Sequence, residues 1–171
     1  MSRVLWMLSG NSGTGKTAFC RQLAAMAADD GWKVGGLLSP AVMKNGVKTG
    51  IQVMELPGGS VRCLAKTVPG NPAGVRLGRW FFDPESIAWG DAMVRACLPC
   101  DLLIIDELGP LELLLGRGWQ AAVEALVGQV YRMGVVVIRP NLQEQACQRL
   151  PITRTLTLDG HLLSGEEVHA W

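Results

Sequence analysis

No run of apolar residues in this sequence approaches the roughly 20 that a membrane-crossing helix needs, so no membrane span is expected. A surplus of charge is missing as well. The formal net charge is +1, which gives no electrostatic case for a nucleic-acid partner or an anionic membrane surface. The N-terminus enters an apolar strand pattern almost at once and leaves no room for a signal peptide, which points to a cytoplasmic chain. An even disulfide framework is absent too: the five cysteines, Cys20, Cys63, Cys97, Cys100 and Cys147, are irregularly spaced. Cys97-Leu98-Pro99-Cys100 is a lone C-x-x-C with no second pair at zinc spacing. Pro99 falls between a helical pattern and a strand pattern, so a structural role is expected rather than metal binding or redox work. There is also no Asn-Lys-x-Asp stretch of the kind that reads a guanine base.

What is present is globular in composition. The 171 residues are 49% apolar and 18% charged, enough to build a sizeable core and too apolar for a disordered chain. A single domain over residues 1–171 is expected, with no internal repeat and no low-complexity segment.

The stretch that organises the chain is Gly10-Asn11-Ser12-Gly13-Thr14-Gly15-Lys16-Thr17. It matches Gly-x-x-x-x-Gly-Lys-Ser/Thr, the phosphate-binding P-loop. Residues 3–8 before it read as a short buried strand, and residues 16–30 after it read as a helix with Ala18, Phe19, Leu23, Met26 and Ala27 at helical spacing. Glycines allow successive backbone N–H groups to face an anion, and the start of a helix adds free amides and a favourable dipole. Residues Gly10 to Ala18 are therefore the expected nucleotide-binding set. Lys16 supplies a point charge for the outer phosphates, and the Thr17 hydroxyl is a candidate ligand for Mg²⁺.

Further along, Asp29-Asp30-Gly31 reads as a helix stop, with Gly31 in the left-handed conformation. Residues 33–38 read as a strand. Pro40, Asn45-Gly46 and Pro57-Gly58-Gly59 then punctuate alternating stretches at 37–43, 47–56 and 61–64, the pattern of an antiparallel meander inserted at about 36–66. Residues 67–79, rich in glycine and proline, read as one long loop carrying Arg76 and Arg79. Trp80-Phe81-Phe82 reads as a short strand. Asp83-Pro84 reads as a helix cap followed by proline at the first helical position, opening a helix to about Leu98 with Ile87, Val94 and Leu98 inward. Residues 101–106 form a continuous apolar strand closed by an acid, as in a parallel sheet covered on both faces. An amphipathic helix is expected over 118–132, with Trp119, Ala122, Val123, Leu126, Val127 and Val130 on its inner face and Gly134 ending it. A buried strand at 135–138, a short helix at 142–150 and a last strand at 152–158 follow. Residues 164–167 resemble a capping box.

The second half of the expected site is Asp106-Glu107. Ligands of open parallel sheets collect at the carboxyl ends of the strands, where the P-loop also lies. Asp106 is thus expected to hold Mg²⁺ with Thr17, and Glu107 to orient or deprotonate a water in line with the terminal phosphate. Asp106-Glu107-Leu108-Gly109 also fits the short Asp-x-x-Gly pattern of GTP switches, but four residues of so loose a pattern carry little weight without a guanine-reading motif.

With these residues assembled, the chain resembles the thermophilic-type nucleoside-triphosphatase family of small P-loop proteins, which includes the human cancer-related nucleoside-triphosphatase. The resemblance covers roughly residues 3–158. It rests on the P-loop, on Gly31-Trp32-Lys33-Val34-Gly35-Gly36-Leu37, on Gly46-Val47-Lys48-Thr49-Gly50-Ile51 and on Leu77-Gly78-Arg79-Trp80-Phe81-Phe82-Asp83. It rests above all on Ile105-Asp106-Glu107-Leu108-Gly109-Pro110-Leu111-Glu112-Leu113. Two departures stand out. The family's Glu-Val-Arg stretch is replaced near Ala41-Val42-Met43, and its Asn-Arg is not apparent around residues 158–163.

The resemblance implies a three-layer α/β P-loop domain, mainly parallel with an antiparallel extension. It implies Mg²⁺-dependent hydrolysis of ATP, GTP and other nucleoside triphosphates to diphosphates with broad base preference. Lys16 and Glu107 are the expected catalytic residues, and Thr17 and Asp106 the expected metal ligands. Arg79 is a candidate phosphate contact in cis, and Arg139, just past a strand, is another. Glu112 has no expected role beyond anchoring its loop. Two rival readings are a nucleotide-binding adaptor with little turnover, similar to the accessory protein of molybdopterin–guanine dinucleotide synthesis, and a small-molecule kinase with Arg76 and Arg79 on a lid. No nucleic-acid or membrane partner is expected, and a monomer is favoured.

Overall fold

The computed structural model describes residues 3–159. The capping-box pattern at 164–167 and most of the 158–163 stretch lie outside the described residues. Strand β1 (Val4–Ser9) buries Leu5, Met7 and Leu8 almost completely. After the glycine loop, helix α1 (Lys16–Asp29) buries Phe19, Cys20 and Ala24. It stops as its sequence foretells. Gly31 takes φ 78°, and the amides of Trp32 and Gly31 donate back to the carbonyls of Ala27 and Ala28 at 2.9 and 3.0 Å.

Strand β2 (Val34–Leu38) is buried throughout. β3 (Ala41–Lys44) and β4 (Val47–Leu56) form a hairpin over Asn45-Gly46, both at positive φ, as the two-residue turn between twisted strands requires. β5 (Val61–Lys66) extends the meander. The expected long loop at 67–79 is not wholly a loop. It contains β6 (Val75–Leu77), which pairs antiparallel with β7 (Trp80–Phe82). Three residues between glycines and prolines show too little alternation to be read as a strand. Their order comes from the aromatic strand beside them.

Helix α2 (Pro84–Cys97) begins as read: Asp83 accepts from the Ser86 amide at 3.0 Å and the Ser86 hydroxyl at 2.7 Å. β8 (Cys100–Ile105) follows, then a single turn, α3 (Pro110–Leu113). Helix α4 (Gln120–Gly128) is shorter than the helix expected over 118–132. Gln129 takes φ 50° and ends it without a glycine, and β9 (Tyr131–Ile138) already includes Arg132 and Gly134. Gly134 is therefore not a helix stop but a strand residue. A Cβ there would lie 2.8 Å from the Tyr131 ring and 2.9 Å from Leu5. Trp119, Ala122, Val123 and Leu126 are buried as expected, but Val127 and Val130 are exposed. Pairing with β1 and β8 pulled residues 131–134 into the strand, a tertiary override of helical periodicity. A 3-10 turn at Pro140–Leu142 leads to α5 (Gln143–Arg149) and β10 (Arg154–Thr157).

The ten strands form one sheet in the order β10-β1-β9-β8-β2-β4-β5-β7-β6, with β3 beside β4. β10, β1, β9, β8 and β2 are parallel; from β4 onward the pairing is antiparallel. β8 shows why its run is apolar without a break. Leu103 and Ile105 enter one core, together with Val94 and Leu126 from α2 and α4. Leu102 and Ile104 enter another, with Phe19 and Cys20 from α1. The fold is thus three-layered α/β, as expected. Among the described residues no helix is long and apolar enough to cross a membrane.

The cap at Asp83 yields a stability prediction. Burial pushes its carboxyl up, but the hydrogen bonds from Ser86, Glu85 and Asn71 outweigh that and hold its pKa below the ordinary aspartate value. Asp83→Ala is expected to cost about 1 kcal/mol at neutral pH. Because the folded pKa is depressed, the difference from wild type persists above the ordinary aspartate range and disappears as the pH falls through the lowered value. Urea unfolding of both proteins at pH 7 and near pH 3 checks this.

Candidate active site

The loop between β1 and α1 is built for an anion. Gly13 and Gly15 take φ 83° and 89°, values that favour glycine. α1 opens without a capping side chain, so the amides of Lys16, Thr17 and Ala18 stand at its start with no side-chain acceptor. The Thr14 hydroxyl donates to the Asn11 carbonyl at 2.9 Å and braces the loop from within. Lys16 is 8% exposed, and its Nζ donates to the carbonyls of Gly10 and Asn11 at 2.7 and 2.6 Å. Burial lowers its pKa, while Glu107 and Asp106 pull it back up.

Those two acids stand at the carboxyl end of β8. The Asp106 amide donates to the Leu37 carbonyl at 2.9 Å, and its Oδ2 accepts from the Ser39 amide at 3.3 Å. Asp106 is 2% exposed. Burial pushes its pKa up to about 6; Glu107 adds to the rise, and a hydrogen bond from the Thr17 hydroxyl works against it. A hydroxyl and a desolvated carboxylate bonded to each other form a hard-oxygen pair. That pair suits a small divalent cation whose remaining ligands are phosphate oxygens and waters. An all-protein metal cage does not arise: no group of three or more His, Cys, Asp or Glu is so arranged among the described residues.

Glu107 faces the same space and is held from β9. The Nε of Arg139 donates to its Oε1 at 2.8 Å, and a terminal nitrogen of the same guanidinium forms an ion pair with that oxygen at 2.8 Å. Arg139, a candidate phosphate contact from sequence, is thus a partner of the second acid. The loop beyond is pinned by Glu112, which is 6% exposed and accepts from the amides of Gly109 and Trp119 at 2.9 and 3.0 Å. Arg149 donates to the carbonyls of Glu112 and Leu113 at 2.8 and 2.7 Å. Anchoring, the sole role expected of Glu112, is what its contacts provide.

A cavity of about 720 Å³ joins these parts. The P-loop residues Ser12, Gly13, Gly15, Lys16, Thr17 and Ala18 line it, and so do Asp106, Glu107 and Arg139. Arg79 reaches its wall with the guanidinium 4.7 Å from the Trp80 ring centroid. Arg76 does not line it; it lies over Phe81 and donates to the Gly78 carbonyl at 3.2 Å. Gly10, Asn11 and Thr14 do not line it. One charged lining residue was not singled out from sequence as a site candidate. Lys48 of β4 is partly buried, with its ammonium 5.5 Å from the Trp80 ring centroid. Its only sequence signal is its place in the Gly46-to-Ile51 hairpin. Burial lowers its pKa, and Glu107 opposes that most strongly. Cys97 ends α2 and Cys100 opens β8, away from the acids, and a hydrogen bond shared by their thiols holds the Cys97 thiol below its ordinary range.

A family model described as NTPase matches residues 6–158. The nucleoside-triphosphatase THEP1 of Methanosarcina acetivorans is 30% identical over 122 residues, covering 70% of this chain and 67% of the relative. That of Methanopyrus kandleri is 31% identical over 107 residues, covering 63% of this chain and 58% of the relative. The matched chain thus spans about three-fifths to two-thirds of the length of these relatives. The solution structure of a human cancer-related nucleoside triphosphatase superposes with a TM-score of 0.65 at 20% identity, over 98% of this chain and 93% of that one, a likeness of fold.

Glu112→Ala is expected to destabilise the chain, because two enclosed amides lose their acceptor at about 1–3 kcal/mol each. Glu112→Gln keeps one carbonyl acceptor and is expected to lose less. Urea midpoints of the two variants, ordered wild type, Gln, Ala, check the assignment.

Proposed function

This chain belongs to the NTPase family, and from that membership we propose that it hydrolyses nucleoside triphosphates to diphosphate and phosphate in a Mg²⁺-dependent reaction. The observation that carries the reading is the convergence of Lys16 and Thr17 from one strand–helix turn with Asp106 and Glu107 from another strand on one cavity. A fold built only to bind nucleotide needs no second carboxylate held in place by an arginine. In the proposed mechanism the loop amides and Lys16 bind the phosphate chain and stabilise charge on its oxygens. Thr17 and Asp106 would hold the metal ion, which when bound would offset charge on the phosphate oxygens. Glu107, steered by Arg139, accepts a hydrogen bond from a water beyond the last phosphate. As the water oxygen bonds to the terminal phosphorus, the bond to the bridging oxygen breaks, the diphosphate leaves, and the proton passes to Glu107. Arg79 is a proposed further contact to the terminal phosphate.

The lack of an Asn-Lys-x-Asp stretch supports a broad base preference as part of this proposal. The chain is proposed to be cytoplasmic and monomeric, and its +1 net charge gives no electrostatic pull toward a nucleic-acid or membrane partner.

Steady-state phosphate release from ATP, GTP, CTP and UTP is expected to agree within about tenfold, to require Mg²⁺ and to stop with chelator. Glu107→Gln is expected to lower kcat by about 100-fold or more while retaining nucleotide affinity. Lys16→Ala is expected to weaken both. An undiminished Glu107→Gln enzyme would remove the assigned base.

A further inference from the structure

A triphosphate in the cradle has a direction. The loop amides hold the inner phosphates, and Lys16 reaches the outer two. The last phosphate therefore faces Asp106 and Glu107, and the nucleoside departs on the other side. The cavity does not end at the carboxylates. It continues beneath the antiparallel strands, between Ile51, Leu64, Trp80, Phe82, Ile87 and Trp119. Hydrolysis needs room for one water beyond the last phosphate, about 30 Å³. The whole space, phosphate cradle included, is about 720 Å³.

Its walls have a definite chemistry. Lys48 and Arg79 both lie against the Trp80 ring at the rim. Neither is in an ion pair among the described residues, and Glu107, the acid whose charge acts most on Lys48, is itself paired with Arg139. Trp119, 2% exposed, forms part of the floor, with its indole nitrogen turned to Gly90 of α2, where a Cβ would come within 2.5 Å of it. Two rim cations with no paired acid of their own and a floor of aliphatic and aromatic side chains do not describe a water channel. They describe a receptor for something flat, apolar and negatively charged at one end.

We propose that the space beyond the terminal phosphate is a second small-molecule site for an organic anion with a flat apolar body. The anionic group meets Lys48, with Arg79 shared between it and the terminal phosphate, and the body lies against Trp80, Ile51, Leu64 and Phe82. The inference rests on the triphosphate reading of the cradle, since that reading decides which phosphate faces the chamber. An occupant stands where the attacking water must arrive. It slows turnover without displacing the nucleotide. The competing occupant is the nucleobase itself.

The probe for the test is 1-anilinonaphthalene-8-sulfonate, an aromatic body with one sulfonate, titrated by fluorescence into the full chain. One saturable site per chain is expected, with an affinity that saturating MgADP changes by less than about twofold. Lys16→Ala, deficient in nucleotide binding, is expected to retain the site. Leu64→Trp, which fills the floor, and Lys48→Ala are expected to weaken it by about tenfold or more. In phosphate release the probe is expected to lower kcat and leave the KM for ATP unchanged. Displacement of the probe by MgADP overturns the proposal, because the chamber is then the base pocket. Binding that Leu64→Trp and Lys48→Ala leave unchanged overturns it too. If Leu64→Trp gives no cooperative melting transition, Ile51→Phe replaces it. A wild-type chain that releases no phosphate refutes the hydrolase reading, while the MgADP-independent titration still decides the second site.

Discussion

The hydrogen bonds of Asp106 tie three separate parts of the chain together. Its amide and carboxylate bind the end of β2 at Leu37 and Ser39, and the Thr17 hydroxyl reaches it from the start of α1. A carboxylate this enclosed is costly unless it is well partnered. The partners it has are the beginning of the phosphate cradle and the point where the sheet changes from parallel to antiparallel. The position of the cradle relative to the insert is set at that one side chain.

β2 is the strand on which the change turns. On one side it runs parallel to β8, and on the other antiparallel to β4. Past Leu38 the chain continues into β3 along the same edge of β4, with the Gln52 amide donating to the Pro40 carbonyl at 2.9 Å between them. The hairpin is thereby carried past the carboxyl ends of the parallel strands. It brings Lys48 and Ile51 to a space that a purely parallel sheet would leave open to solvent.

Much of this was legible in the residues. The glycine loop, the unbroken apolar run of β8 and the Asn45-Gly46 turn each have one dominant cause, and each stands where its pattern placed it. The illegible parts were those decided between elements. β6 is too short to show a period and owes its order to Trp80–Phe82. The end of α4 was lost because Val127 and Val130 continue a helical stripe while residues 131–134 answer to their neighbours in the sheet. At the site, Glu107 was readable as an acid after a strand, but its grip by Arg139 joins positions 32 residues apart. Lys48 was hidden because a lone lysine in a hairpin carries no periodic signature; only the folding of that hairpin over the strand ends gives it neighbours.

The alternation of β8 has a consequence for how this protein tolerates change. Successive residues of one short strand report to opposite hydrophobic layers, and the strand delivers the acids at its tip. Repacking on either side of the sheet is therefore transmitted to the same few ångströms. Drift confined to the α1 layer is no more neutral than drift in the α2–α4 layer. Such a lineage would be expected to change its interior in compensating pairs on opposite sides of the sheet, while its surface helices diverge freely.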